Sequence, residues 1–156
     1  VFGGVYKLAA VENDVGEIIP KIKVSENTEK ITNPGFKEIY RFFDKTTGKA
    51  IADVITLADE EAPDGEEYEI FDPNAVWKRK KITNFRAKKL KEQIFKDGKL
   101  VYELPDIETI RKHCSEQVDT LWPEILRFEN PQNYFVDLSH KLWELKNQLL
   151  EEHSEE

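Results

Sequence analysis

The sequence predicts an α+β fold: a β-rich module of antiparallel hairpins over residues 1–104, followed by two helices within 105–156, the two parts together forming one domain. Three observations carry this. β-branched and aromatic runs are separated by short Gly-, Asp- and Asn-bearing turns in the first two-thirds. The apolar spacing then changes to three and four residues in the last third. The junction is marked by Pro105-Asp106, a helix-opening pair.

Taken in order, Val5–Val11 reads as a strand that stops at the turn Glu12–Gly16, and Glu17–Val24 answers it. Pro20 marks this second strand as an edge, because proline has no N–H for the ladder. Lys37–Asp44 and Lys49–Leu57 form a clearer hairpin about Lys45-Thr46-Thr47-Gly48. An acidic loop follows at Asp59–Glu67, with Pro63-Asp64-Gly65 as its turn. Tyr68–Phe71, Lys80–Phe85 and Glu92–Phe95 read as short strands. Lys96-Asp97-Gly98-Lys99 is a type I′ hairpin signal, since Asp-Gly accepts the positive φ angles of that turn.

Asp106 is the expected N-cap of the first helix. Ile107, Ile110, Cys114, Val118 and Leu121 form its stripe, and Pro123 ends it. Cys114, lying on that stripe, is expected to be inert core. Asn130-Pro131 is expected to open the last helix, with Tyr134, Leu138, Leu142, Leu145 and Leu149 as its stripe, and the acidic tail Glu151–Glu156 to fray.

The chain of 156 residues can bury one sizeable core. Its 9 Phe, 5 Tyr and 3 Trp are too many for a disordered chain. A net charge of −8 argues against general nucleic-acid affinity. The lone Cys114 makes no disulfide framework and fits a reducing cytosol. No apolar run approaches the length of a membrane helix, so neither nucleic acid nor membrane is an expected partner. There is no methionine, and the opening Val1-Phe2-Gly3-Gly4 reads as the middle of a structured region, so the chain is expected to be a piece of a longer protein.

The candidate sites differ in weight. From Lys21 to Arg41 a strand end, a loop rich in Ser, Asn and Thr, and several lysines come together, which is what a phosphate site uses: compact cations, short polar groups and free amides. On spacing alone it reads first as a solvated loop capped by Ser25. The basic run from Lys78 to Lys99 holds 10 of the 23 Lys and Arg and encloses Phe85 beside Trp77. It reads as a solvated face matched by the acidic 59–67 loop or by residues 103–156, which carry 13 Asp and Glu against 5 Lys and Arg. Its alternative is a free-standing nucleic-acid module. Asp44-Lys45-Thr46-Thr47-Gly48-Lys49 lacks the first glycine of a phosphate loop, whose place Phe43 takes, and reads as a hairpin turn. His113, His140 and His153 are far apart. His113 and Cys114 point to different helix faces, and the neighbours Ser139 and His140 cannot act as nucleophile and base, so no metal site and no hydrolase pair is expected.

An ordered series of segments is more specific than any one of these: Gly3-Gly4-Val5-Tyr6-Lys7-Leu8; Lys23-Val24-Ser25-Glu26; Glu29 to Lys37; Tyr40-Arg41; Gly48 to Asp53; and Leu138-Ser139-His140-Lys141-Leu142. The series resembles the C-terminal part of nicotinate phosphoribosyltransferases. That resemblance implies a parent enzyme, dimeric and cytoplasmic, of pyridine-nucleotide (NAD) biosynthesis. It is a glycosyltransferase in chemistry and is grouped with the ligases because it is coupled to ATP. It joins nicotinate and phosphoribosyl pyrophosphate into nicotinate mononucleotide, with ATP and Mg²⁺. It also implies an N-terminal domain and an α/β barrel that carry the catalytic residues. The present chain is then non-catalytic alone and binds no cofactor itself. By the same resemblance Lys23 and Lys30, supported by Ser25, are candidate contacts to a substrate phosphate. Purely structural support of the barrel, or of a dimer contact, is the alternative role.

Overall fold

A computed structural model describes residues 3–63 and 67–153. It divides into two compact units: Val1–Glu38, Ile55–Glu60 and Leu138–Glu156 form one, and Ile39–Val54 and Glu61–Asp137 the other. Ten strands and two helices are described, in keeping with the α+β expectation.

In the first unit, β1 (Ala10–Glu12) and β2 (Ile18–Pro20) form an antiparallel ribbon with Ala10 opposite Pro20. The strands are shorter than the sequence suggests, and Glu12 belongs to β1 rather than to the turn. The turn is fixed locally: Asn13 Oδ1 accepts the N–H of Val15 at 3.1 Å and of Glu17 at 2.8 Å. Helix α2 (His140–Glu152) packs Leu142 into a small core with Leu57 and Leu138, flanked by Ile55, Trp143 and Leu145.

That helix begins well after the start that Asn130-Pro131 suggests. Asn130 instead takes a left-handed φ of 49°, and Phe135–Leu138 is extended as strand β10. The aromatic and β-branched pair Phe135-Val136 favours the ladder, and the helix is capped by Ser139, whose Oγ accepts the N–H of Leu142 at 3.2 Å. The same hydroxyl donates to Glu60 Oε1 at 2.6 Å. Tyr134 and Leu138 are therefore not on the helix. Glu151 and Glu152 lie within its last turn rather than fraying; the end of the acidic tail, residues 154–156, is outside the described residues.

The second unit holds most of the long strands: β3 (Lys37–Asp44), β4 (Ala50–Leu57), β5 (Glu67–Asp72), β6 (Ala75–Thr83) and β7 (Phe85–Lys89). The main sheet has the order β10-β4-β3-β7, and β5 pairs with β6. The turn between β3 and β4 is the expected one: Asp44 Oδ1 accepts the N–H groups of Thr46 and Thr47 at 2.8 and 2.7 Å, and Gly48 takes the left-handed φ of 70°. Of the acidic-loop turn, Asp64 and Gly65 lie outside the described residues.

β6 starts earlier than expected, at Ala75 rather than Lys80, because it pairs along the whole of β5, with Tyr68 opposite Ile82 and Phe71 opposite Arg79. Asn84, at φ 52°, breaks the chain, and β7 then runs antiparallel to β3, with Asp44 opposite Phe85. The basic composition of Phe85-Arg86-Ala87-Lys88-Lys89 hides its period-two pattern; Phe85 is buried and Arg86 exposed. The core is Phe42, Ala52, Val54, Ile70, Ile82 and Phe85, with the Phe42 and Phe85 rings stacked at 4.6 Å.

β8 (Phe95–Lys96) and β9 (Lys99–Leu100) make the expected tight hairpin, with Asp97 at φ 50° and Gly98 at 73°, although Glu92–Ile94 lie outside its short strands. Helix α1 (Ile107–Asp119) is capped by Asp106, whose carboxylate accepts the N–H of Thr109 at 2.7 Å. It stops at Asp119, so Leu121 lies beyond it. No residue of α1 is buried, and Cys114 is exposed, not core. The apolar stripe does lie on a helix, but Ile107, Ile110, Cys114 and Val118 all stay exposed.

Candidate functional site

The lysine loop lies in the first unit and is held from both sides. At its neck, the Lys23 N–H donates to Thr32 Oγ1 at 2.9 Å, and the Thr32 N–H donates to the Lys23 carbonyl at 3.3 Å. These two bonds join residues nine apart in sequence and close the loop on itself. Within it a single 3-10 turn, Thr28–Lys30, forms through the Lys30 N–H to the Asn27 carbonyl at 2.9 Å. Ser25 is half-buried, while Lys23 and Lys30 are exposed. Neither ammonium group has a partner among the described residues.

The returning limb, Asn33-Pro34-Gly35, is built differently. The Lys37 ammonium donates to the carbonyls of Asn33, Pro34 and Gly35 at 2.8, 3.3 and 2.5 Å. Lys37 is thus a scaffold cation that gathers three backbone acceptors which a tight turn would otherwise leave open. Lys146, from α2, donates to Asn33 Oδ1 at 2.9 Å. Burial pulls the Lys146 amine below the ordinary lysine range, since removal from water disfavours its charged form. The Gly35 N–H and the Lys21 N–H both reach the Ala9 carbonyl, at 2.7 and 2.8 Å, which ties the limb to the end of β2 and to the residue before β1.

The loop therefore sorts its lysines into two kinds. Lys37 and Lys146 brace the backbone, and Lys23 and Lys30 project charge from a braced loop. A fixed backbone bearing unpaired ammonium groups suits an anion, because little ordering is left to be done on binding. The sequence points to Lys23, Ser25 and Lys30 but does not disclose the bracing by Thr32 and Lys146. Thr32 sits at the loop neck, in a stretch of short polar residues. For Lys146, the one signal is a cation beside Leu145 on an otherwise apolar helix edge.

Three members of the basic run of the second unit meet acids of β5, of which only Glu67 belongs to the acidic 59–67 loop. Lys81 meets Glu67 at 2.7 Å, Arg79 meets Glu69 at 2.8 Å and Lys78 lies 3.9 Å from Asp72. The Arg86 guanidinium covers the Phe43 ring at 4.6 Å. The partners come from the strand opposite β6, so the face is a ladder of cross-strand pairs.

Arg41 and Asp53, both in the resembling segments, form a third cluster. Arg41 Nε and Nη2 donate to the two carboxylate oxygens at 2.8 and 2.9 Å, and the Tyr134 hydroxyl donates to Asp53 Oδ1 at 2.8 Å. Burial, and then the bond to Asp53, push the Tyr134 phenol well above its ordinary value. The cluster consumes its own polar groups and holds β3, β4 and the approach to β10 in register.

Among the described residues no three His, Cys, Asp or Glu side chains gather as a metal ion would require. Among the same residues no helix is long and apolar enough to cross a membrane.

Comparison with known proteins bears on this geometry. The family model of the nicotinate phosphoribosyltransferase C-terminal domain matches residues 36–146. Nicotinate phosphoribosyltransferase of Bacillus subtilis (strain 168) is 39% identical over 150 residues, covering 96% of this chain and 30% of the relative; an alignment of that length takes in the lysine loop. The Caenorhabditis elegans and human proteins of that name are 35% and 32% identical over 94% of this chain, and 25% and 26% of their own lengths. The crystal structure of human nicotinic acid phosphoribosyltransferase superposes with a TM-score of 0.69 at 26% identity, covering 76% of this chain and 24% of that one. The chain thus spans less than a third of each of these relatives. On the family match and the length of these alignments, the chain belongs to the nicotinate phosphoribosyltransferase family, in which it corresponds to the C-terminal domain.

Proposed function

We propose that this chain is the C-terminal part of an enzyme that joins nicotinate to phosphoribosyl pyrophosphate in an ATP-coupled reaction, and that its lysine loop serves the phosphate end of the substrate. The observation that carries the proposal is the division of labour among the lysines. Lys37 and Lys146 fix the limb 33–35, and Thr32 fixes the neck, so Lys23 and Lys30, without partners among the described residues, present their charge from a braced support. Ser25, close to Lys23 in the chain, adds a hydroxyl.

In this reading the chain makes no bond and breaks none. The ribosyl centre, the base and the ATP-dependent step belong to the rest of the parent chain, which is the principal partner, and Mg²⁺ is held there. The loop's task is to offset phosphate charge as the substrate binds and as pyrophosphate departs. The parent acts as a dimer in the cytoplasm.

The test uses the full-length enzyme. Lys23→Ala and Lys30→Ala are each expected to raise KM for phosphoribosyl pyrophosphate about three- to tenfold. That is the scale of one charge-assisted contact near a solvated surface, roughly 1 kcal/mol. KM for nicotinate should stay constant. Unchanged kinetics in both variants would remove the loop from the substrate site.

A further inference from the structure

Helix α1 meets its own unit by the wrong edge. Thr109, Ile110, His113 and Gln117 line a cleft of about 340 Å³ with Leu90 and Tyr102. Gln117 Oε1 also accepts from Arg41 Nη1 at 3.4 Å. Thr109, His113 and Gln117 recur at every fourth residue, so the inward edge of the helix is largely polar, with Ile110 at its margin. At roughly 100° per residue the rest of the apolar stripe, Ile107, Cys114 and Val118, lies about a quarter-turn or more from the middle of that edge. Ile107 is 69% exposed, Ile110 51% and Val118 43%, with Cys114 exposed among them. Leu104, just before the helix, and Trp122, just after it, are exposed as well.

The far side of the helix is electrically self-contained. Arg111 pairs with Glu108 at 3.3 Å and Lys112 with Glu116 at 3.9 Å. Isolated helices of about a dozen residues are marginal in water and draw their stability from burying an apolar face. Helix α1 is 13 residues long and, in this chain, buries none.

We infer that the stripe Ile107, Ile110, Cys114 and Val118 is a docking surface for an apolar patch of the parent chain's remaining length. The inference rests on the reading of the chain as part of a longer enzyme. The relatives fix the occupant: this chain spans 30% of the Bacillus subtilis protein, so more than twice its own length of polypeptide is available to cover the stripe. A tethered occupant acts at an effective concentration near millimolar, which a second copy matches only with a tight interface. The helix pairs two of its three acids with its two basic residues and leaves only Asp119 at its end, so apolar burial is the main driving force.

Cys114 makes the inference measurable. The full-length enzyme is pulsed with N-ethylmaleimide, and the peptide containing Cys114 is quantified by mass spectrometry, native against guanidinium-unfolded. A covered stripe is expected to slow native labelling at least about tenfold, as closed segments protect buried groups. Equal native and unfolded rates would overturn the inference. Protection that vanishes on dilution of the enzyme would overturn it too, since the occupant would then be a second copy. Formation of nicotinate mononucleotide by the same preparation reads the parent assignment separately. An active enzyme with a freely labelled Cys114 rejects the docking surface alone, whereas an inactive one counts against the parent assignment and leaves the labelling result standing.

Discussion

Gly35 is pressed against Leu57. Its φ is +82°, and a Cβ placed there would lie 2.7 Å from Leu57 Cδ2, well inside contact distance, with Leu145 Cδ2 next at 3.7 Å. Glycine is needed twice over, for the left-handed backbone and for the space. The same residue sends its N–H to Ala9, and its carbonyl accepts from Lys37, so the packing of the small core and the shape of the lysine loop depend on one atom's absence.

Gly35→Ala is therefore expected to destabilise the protein by about 2–4 kcal/mol: roughly 1 for the left-handed backbone and the remainder for overpacking. The two parts separate in a double-mutant cycle. In a Leu57→Ala background the clash disappears and the backbone cost remains, so the glycine substitution is expected to cost only about 1 kcal/mol there. Urea unfolding of the four proteins measures it. Equal costs in both backgrounds would mean that Leu57 is not the obstacle.

Asp53 is the hub of the Arg41 and Tyr134 contacts, which predicts a particular pattern of coupling. Asp53→Ala leaves a partly buried guanidinium without its bidentate acceptor and is expected to cost about 2–4 kcal/mol. Tyr134→Phe removes one hydroxyl bond to a carboxylate and is expected to cost about 1–2 kcal/mol. In the Asp53→Ala protein the second substitution should add almost nothing, because its acceptor is already gone. Additive costs would place the phenol's stabilising contact elsewhere.

How far the sequence reaches depends on whether the deciding interaction is local. The Asp44–Gly48 and Asp97-Gly98 turns and the Asp106 cap are readable because each is closed by side chains and φ angles within a few residues. Asn130-Pro131 is a sound local start signal for the last helix, yet it is overruled by the pairing of Phe135–Leu138 with β4, far upstream. Strand β7 is hidden for a similar reason: Arg86, Lys88 and Lys89 look like a charge run until β3 supplies the ladder. In the lysine loop the residue types are readable. The distinction between bracing Lys37 and projecting Lys23 is not, since it rests on three carbonyls folded back onto one ammonium group. Periodicity alone misleads on the burial of Cys114. A stripe shows that a face is apolar, and its cover can come from outside the segment being read.

Asp137 gives the protein a pH dependence of its own. It is 3% exposed, and its Oδ2 has no hydrogen-bond partner among the described residues. It lies at a cleft lined by Ile70, Phe71, Phe135 and Asp72, with Lys78, Arg79 and Lys80 at the same opening. Burial first, and then the charge of Asp72, push its carboxyl up to about 6 from an ordinary 3.8. A carboxyl raised on folding binds its proton more tightly in the native state, so its ionisation lowers stability as pH rises from about 4 through 6. Below that window the penalty is absent, and above it the penalty is complete. Asp137→Asn removes the titration while keeping the shape. The variant is expected to equal the native protein near pH 4 and to exceed it by about 1–2 kcal/mol at pH 8. Asp44, Asp59 and Asp106 are held below the ordinary carboxylate range, so they titrate at lower pH with the opposite sign and cancel in the comparison. Thermal unfolding of both proteins at about pH 4, 6 and 8 reads the difference directly. A gap that does not widen with pH would mean that Asp137 ionises in the fold without penalty.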